Sequence, residues 1–285
     1  MRGFVRVIIN LICLILLAGL AAVVLIHAAP GFGTDERELD ARLSAESLAS
    51  LRQHAPSGNP VLLYGEYLAS AARGDIGTSS MFGRPVLDLF RERASLTASL
   101  AAGGLGSGWL FAFLLAAGRS IRRDRISRMA GPLLCGLLLC VPSALLAFLV
   151  VMARAPAYFA ITGAVLPRVF QYASNLFRAG EDLPHVTCAR AKGLPRWRVF
   201  AFHILPTSLP ELIALAGSSV AIAAGATIPA EVLCDLPGIG QLAWKAALGR
   251  DLYLLVNVTI LLTTITLTAN AFADAALLHC RRHSA

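Results

Sequence analysis

A run of about 20 consecutive, mostly apolar residues leaves a chain few ways to fold. In hydrocarbon, each backbone N–H and C=O must find its partner within the protein, so such a run forms a spanning helix. Val7 to Ile26 is the first such run, behind Arg2 and Arg6. Five more follow: Leu96 to Ala117, Pro132 to Ala153, Ala157 to Phe177, Ser208 to Ile228 and Leu252 to Leu278. The expected fold is all-α, a polytopic membrane protein with about six transmembrane helices. Composition agrees, with 56% hydrophobic and 15% charged residues and a mean hydropathy of +0.68. Gly103, Gly104, Gly106 and Gly108 in the second run permit close helix packing. Pro142 predicts a kink in the third. The fourth is the weakest, because it contains Pro167, Arg168, Gln171 and Asn175. The rival reading of the first run is a cleaved leader. Its apolar core is long for one, and Pro30-Gly31 is a poor cleavage context.

Three regions follow: 1–30, a tail and the first span; 31–95, an external loop; and 96–285, a core with five spans. Within the loop, Asp35 to Ser50 reads as a helix capped at Thr34. Pro56, Gly58 and Pro60 mark a turn. Arg84 to Ser95 places Val86, Leu87 and Phe90 opposite Asp88, Arg91 and Glu92, the pattern of an interfacial amphipathic helix. Arg73-Gly74-Asp75 is a chance tripeptide rather than an adhesion signal. The six cysteines form no Cys-x-x-Cys pair, and Cys13, Cys135 and Cys140 sit in apolar runs, so no disulfide framework or zinc site is expected.

Charge sets the expected orientation. With the N-terminus in the cytoplasm, 14 of the 25 Lys and Arg lie on that side: at 2 and 6, in 119–128, in 178–198, and at 281–282. The short outer loops then hold only Arg154, Lys245 and Arg250, as the positive-inside bias requires. The reverse orientation would place the arginines of 119–128 outside. No basic run is interleaved with exposed aromatics, so the net charge of +8 does not point to nucleic acid.

The densest polar stretch is Glu181 to Pro206, EDLPHVTCARAKGLPRWRVFAFHILP. Gly193 and Pro195 interrupt it, which reads as helix, sharp turn, helix. From Thr187 and Cys188 through Ala189, Arg190, Ala191, Lys192 and Gly193 to His203, Leu205 and Pro206, it resembles the EAA loop of binding-protein-dependent ABC importer permeases. The wording ARAKGL with a later H-x-L is similar to the dipeptide, oligopeptide and nickel branch, B-type subunit. Leu236-Pro237-Gly238-Ile239-Gly240 with Arg250-Asp251 resembles the outer loop before the last span of that branch. Arg73 to Gly77 with Gly83 to Val86 resembles the stretch ahead of its second span, and Asn270 and Asp274 stand where its last span has Asn and Asp.

The resemblance implies a type I ABC importer permease fold in a bacterial inner membrane, multi-pass, with both termini cytoplasmic. It implies a homologous permease partner in a heterodimer, two ATP-binding cassette ATPase subunits and an external substrate-binding protein. Residues 181–206 would be the cytoplasmic coupling loop, with Ala189 and Ala191 small enough to seat in a groove and Arg190 and Lys192 meeting acidic rims. ATP and magnesium would sit on the ATPase, with no cofactor on this chain. The chain departs from the pattern at Thr187, where the general motif has Glu, at Cys188, where the branch has Thr, and at Pro30-Gly31-Phe32. It also lacks the long outer segment between the third and fourth spans.

No hydrolase-like set of serine, histidine and carboxylate is present, and no Gly-x-x-x-x-Gly-Lys phosphate loop. His27 and His203 have no metal partner nearby in sequence, so no metal is expected. Arg168 is a candidate path-lining residue, against the alternative of an interfacial position. Asn270 and Asp274, four apart on one helical face, are candidates of the same kind, against a role in interhelical hydrogen bonds. The expected function is a permease subunit forming the path for short peptides or a related solute such as nickel. The alternative is a non-transporting scaffold or sensor that retains the ATPase-docking loop.

Overall fold

The computed structural model describes residues 2–28, 59–122 and 125–283. The expected helix over Asp35 to Ser50 lies outside them, as do Pro56 and Gly58. Eleven α-helices are described: α1 (Arg2–Ala28), α2 (Pro60–Ala71), α3 (Val86–Arg122), α4 (Arg125–Cys140), α5 (Ser143–Met152), α6 (Tyr158–Glu181), α7 (Pro184–Ala191), α8 (Arg196–Val199), α9 (Leu205–Leu233), α10 (Ile239–Leu248) and α11 (Leu252–His283). A π-helical turn, Phe200–Ile204, joins α8 to α9. Among the described residues no strand occurs, only an isolated bridge between Thr78 and Pro85.

The chain divides into two units. The first comprises Met1–Glu92 and Leu242–Thr264. Here α2 starts at Pro60, whose missing N–H costs nothing in a first turn, with Asn59 capping the Val61 N–H at 3.0 Å. Ala22, Val23 and Ile26 of α1 pack with Tyr64 and Tyr67 of α2 and with Leu252 and Val256 of α11. Gly19 lets the Tyr64 ring lie against α1, where its hydroxyl donates to the Leu16 carbonyl at 2.9 Å.

The second unit comprises Arg93–Gln241 and Ile265–Ala285. Its core is built on α6, whose buried residues include Ile161, Val165, Val169, Phe170 and Phe177. Gly104 and Gly108 of α3 face α6. A Cβ on Gly104 would come within 2.5 Å of Ile161, and one on Gly108 within 3.1 Å of Val165. This spacing of four puts both glycines on one helix face, as the glycine-rich run predicts. The Ser107 and Thr162 hydroxyls share a hydrogen bond at 2.6 Å across the same seam. Gly106 points to open space. Gly104→Leu should therefore force α3 off α6, at a cost of about 1–3 kcal/mol or more. Gly106→Ala should be neutral or better, and thermal melts in detergent compare the two.

Three expectations need correction. Arg84–Ser95 is not a separate interfacial helix: residues from Val86 run without a break into the second span, in one helix of 37 residues. Its charged first turns need no hydrocarbon, and nothing in 84–96 breaks the helix. The third span is not one kinked helix, because α4 and α5 meet at a bend of 102°. Pro142 has no N–H to donate and disfavours helical geometry at the residue before it; it stands extended, with ψ 145°, as the N-cap of the new helix. Finally, among the described residues four helices are long and apolar enough to cross a membrane, or up to five if the bent pair is one span, against the six spans expected. The fourth expected span, α6, has the length at 24 residues but is not among them. Arg168, Gln171 and Asn175 are exposed on it, apart from the face that buries Val165, Val169 and Phe177 in the core.

Candidate functional site

The polar island folds as a short arm. Pro184 opens α7 and buries Val186 and Ala189 three apart on one face. The chain ends α7 at Lys192 and reverses at Gly193, which has φ +74°. That left-handed conformation is one a side chain tolerates poorly. No atom lies within 4 Å of a Cβ added there, so the demand for glycine comes from the backbone alone. The Gly193 N–H donates to the Arg190 carbonyl at 3.0 Å. Pro195, with ψ 145°, then starts α8.

Of the residues singled out for this arm, Thr187, Cys188, Arg190, Ala191, Lys192 and Gly193 are exposed. Ala189 is not: at 4% exposure it packs into the chain's own core, so it cannot seat in a partner's groove. His203 lies in the π-turn, its ring 6.4 Å from that of His185, with Leu205 and Pro206 opening α9. Glu181 ties the arm down. It accepts from Ser120 Oγ at 2.6 Å and pairs with Arg190 at 3.4 Å. The second half of the arm is continuous with a span: Arg196–Leu233 runs 38 residues without interruption. The π-helical turn and Pro206, Pro210 and Pro229 lie within this rod of helix.

The Leu236–Gly240 turn lies at the other end of that rod and wraps a carboxylate the sequence reading missed. Glu231, in the last turn of α9, is 0% exposed. Its Oε1 accepts from Thr97 Oγ1 at 2.7 Å, and its Oε2 from the Gln241 N–H at 3.1 Å. Thr97 in turn accepts from the Ile239 N–H at 2.8 Å. The Leu236 N–H donates to the Glu231 carbonyl at 2.8 Å. A Cβ on Gly238 would overlap the carboxylate, and one on Gly240 would reach its Oε2 at 2.9 Å. Both glycines are therefore explained by the group they enclose. Gln241 is held by Asp235 at 3.0 Å and by Arg93 at 3.4 Å.

Within the first unit, the other two resembling segments meet. Asp251, fully buried, accepts from Ser79 Oγ, from the Met81 N–H at 3.1 Å and from the Leu254 N–H at 3.1 Å. Asn257 donates to the Ile76 carbonyl at 2.8 Å and accepts from the Tyr67 hydroxyl at 2.8 Å. Burial, and secondarily Tyr64, pushes the Tyr67 phenol up to about 12, so it remains a donor at physiological pH. Gly77, at φ +85°, lies against the Tyr253 ring. Asp251→Ala would leave Ser79 and two N–H groups without their acceptor. The expected loss is about 2–4 kcal/mol, read as faster proteolysis within 73–85.

The candidate path residues are scattered. Arg168 is exposed on α6, and Asp274 is exposed on α11. Asn270 is half-buried where α11 approaches α9 closely: a Cβ on Gly217 would lie 3.2 Å from the Asn270 Cα and 2.6 Å from Ala273.

The comparisons with known proteins converge. An oligopeptide transport system permease protein OppB of Haemophilus influenzae is 38% identical over 90 residues, covering 31% of this chain and 29% of the relative. The OppB of Escherichia coli is 43% identical over 77 residues, 27% of this chain and 25% of the relative. These matches thus span less than a third of those relatives' length. A Brucella suis protein provisionally named a peptide transport system permease is 24% identical over 258 residues, 81% of this chain and 82% of that one. The family model described as binding-protein-dependent transport system inner membrane component matches residues 108–283. With that match covering more than half of its length, the chain belongs to the family of binding-protein-dependent transport inner membrane components.

Proposed function

We propose that this chain is the permease subunit of an ATP-binding cassette importer, forming the path for short peptides or a related solute. Residues 181–206 dock a separate ATPase on the cytoplasmic side, where both termini also lie. ATP hydrolysis, with its magnesium, belongs to that subunit. A second, homologous permease completes the membrane assembly, and an external binding protein delivers the solute.

The observation that carries this reading is the union of an exposed, basic arm with a 38-residue apolar helix. Closure of two ATPases on such arms would swing the attached spans as rigid bodies. Peptide is preferred as cargo because the relatives at 38% and 43% identity carry that name. The test is uptake of a labelled short peptide by proteoliposomes holding the full complex. ATP-dependent accumulation supports the reading. ATPase binding without flux of peptide or nickel would instead make the chain a scaffold.

A further inference from the structure

Beside the arm lies a pocket of about 300 Å³. Its polar wall is Ser120, Arg190 and Arg196, and its floor includes Leu194, Phe200 and Ile204. Glu181 fixes Arg190, and the Arg122 carbonyl accepts from Arg196 at 3.2 Å. Each guanidinium has five N–H donors, so one bond apiece orients it while leaving donors for an anion. Lys192 and Arg198 add positive charge on the same arm, against the carboxylates of Glu181 and Asp182.

The same helical stretch, 196–209, carries exposed apolar side chains outside the pocket. Trp197 is 53% exposed, with the Arg198 guanidinium 5.3 Å from its ring centroid, and Phe202 is 68% exposed. Leu209 continues the exposed apolar surface into α9. In water this surface is unfavourable, whereas at a bilayer interface an exposed tryptophan beside arginines is a stable arrangement. A free phosphate would use the basic wall but not the apolar floor or the exposed Trp197 that follows Arg196. An anionic phospholipid uses all three.

We propose that this pocket binds the headgroup of an anionic phospholipid, with Arg190 and Arg196 on the phosphate and the floor against the glycerol and first methylenes. It requires residues 196–209 to lie at a membrane surface, and it does not depend on the ATPase contact.

The test is native mass spectrometry of the full purified chain, titrated with phosphatidylglycerol, phosphatidylcholine or inorganic phosphate. One saturable phosphatidylglycerol site is expected, with phosphatidylcholine at least about tenfold weaker. Arg196→Gln should weaken phosphatidylglycerol about fivefold, and Arg190→Gln with Arg196→Gln about 25-fold. Arg178→Gln, an exposed arginine outside the pocket, should change binding less than about twofold. Unchanged lipid binding in Arg196→Gln overturns the proposal, as does equal binding of phosphatidylcholine. Inorganic phosphate binding as tightly as the lipid would make this a free-anion site and overturn it.

Discussion

Glu231→Ala is expected to be the most damaging single substitution considered. It strips the acceptor from the Thr97 hydroxyl and the Gln241 N–H in a site closed to water. Each orphaned buried donor costs about 1–3 kcal/mol, and the emptied volume adds to this. A loss of about 3–5 kcal/mol should lower the melting temperature in detergent by roughly 10 °C. Glu231→Gln should fall between, because it retains one acceptor oxygen but turns an amide NH2 toward a donor. The sharper test is non-additivity. Gly238→Ala alone should cost about 1–3 kcal/mol or more, as in overpacked cores, since its Cβ meets the carboxylate. In the Glu231→Ala background the same change should cost almost nothing, because the group it meets is gone. Additive costs would show that Gly238 is needed for some other reason.

The second large effect is on coupling rather than folding. Gly193→Pro cannot adopt φ +74° and removes the N–H that closes on the Arg190 carbonyl. Ala191→Asp adds a carboxylate to the exposed face of α7. Together they should leave the chain in the membrane at near wild-type level while abolishing ATPase association and uptake. Ala189→Asp would be a poor substitute, because it buries a charge in the chain's own core and tests folding instead. Retained association in the double variant would place docking elsewhere.

The arm was legible from sequence because its signals are local. Gly193 and Pro195 mark the reversal, and charges without a matching apolar face mark it as outside the hydrocarbon. Ala189 was misjudged because exposure on a two-turn helix depends on what packs beneath it. The bend at Pro142 was expected as a kink; its depth was not, since a proline dictates where a helix yields and tertiary packing decides by how much. Glu231 was invisible for a different reason. Its partner Thr97 lies 134 residues away, and a carboxylate at a span's end reads as ordinary interfacial charge. One signal could have found it: two glycines following within nine residues, in a turn that needs positive φ at neither. The merging of 84–95 into α3 was missed because an amphipathic pattern has the same period whether the helix stops or continues.

The central claim is that residues 181–206 dock a separate ATPase. It is met most directly by purifying the wild-type chain and the Gly193→Pro, Ala191→Asp variant from native membranes and identifying what each retains. An ATP-binding cassette ATPase retained by the wild type and lost by the variant is the predicted result. If no such ATPase accompanies the wild type under conditions that preserve the homologous permease contact, the account is contradicted at its centre.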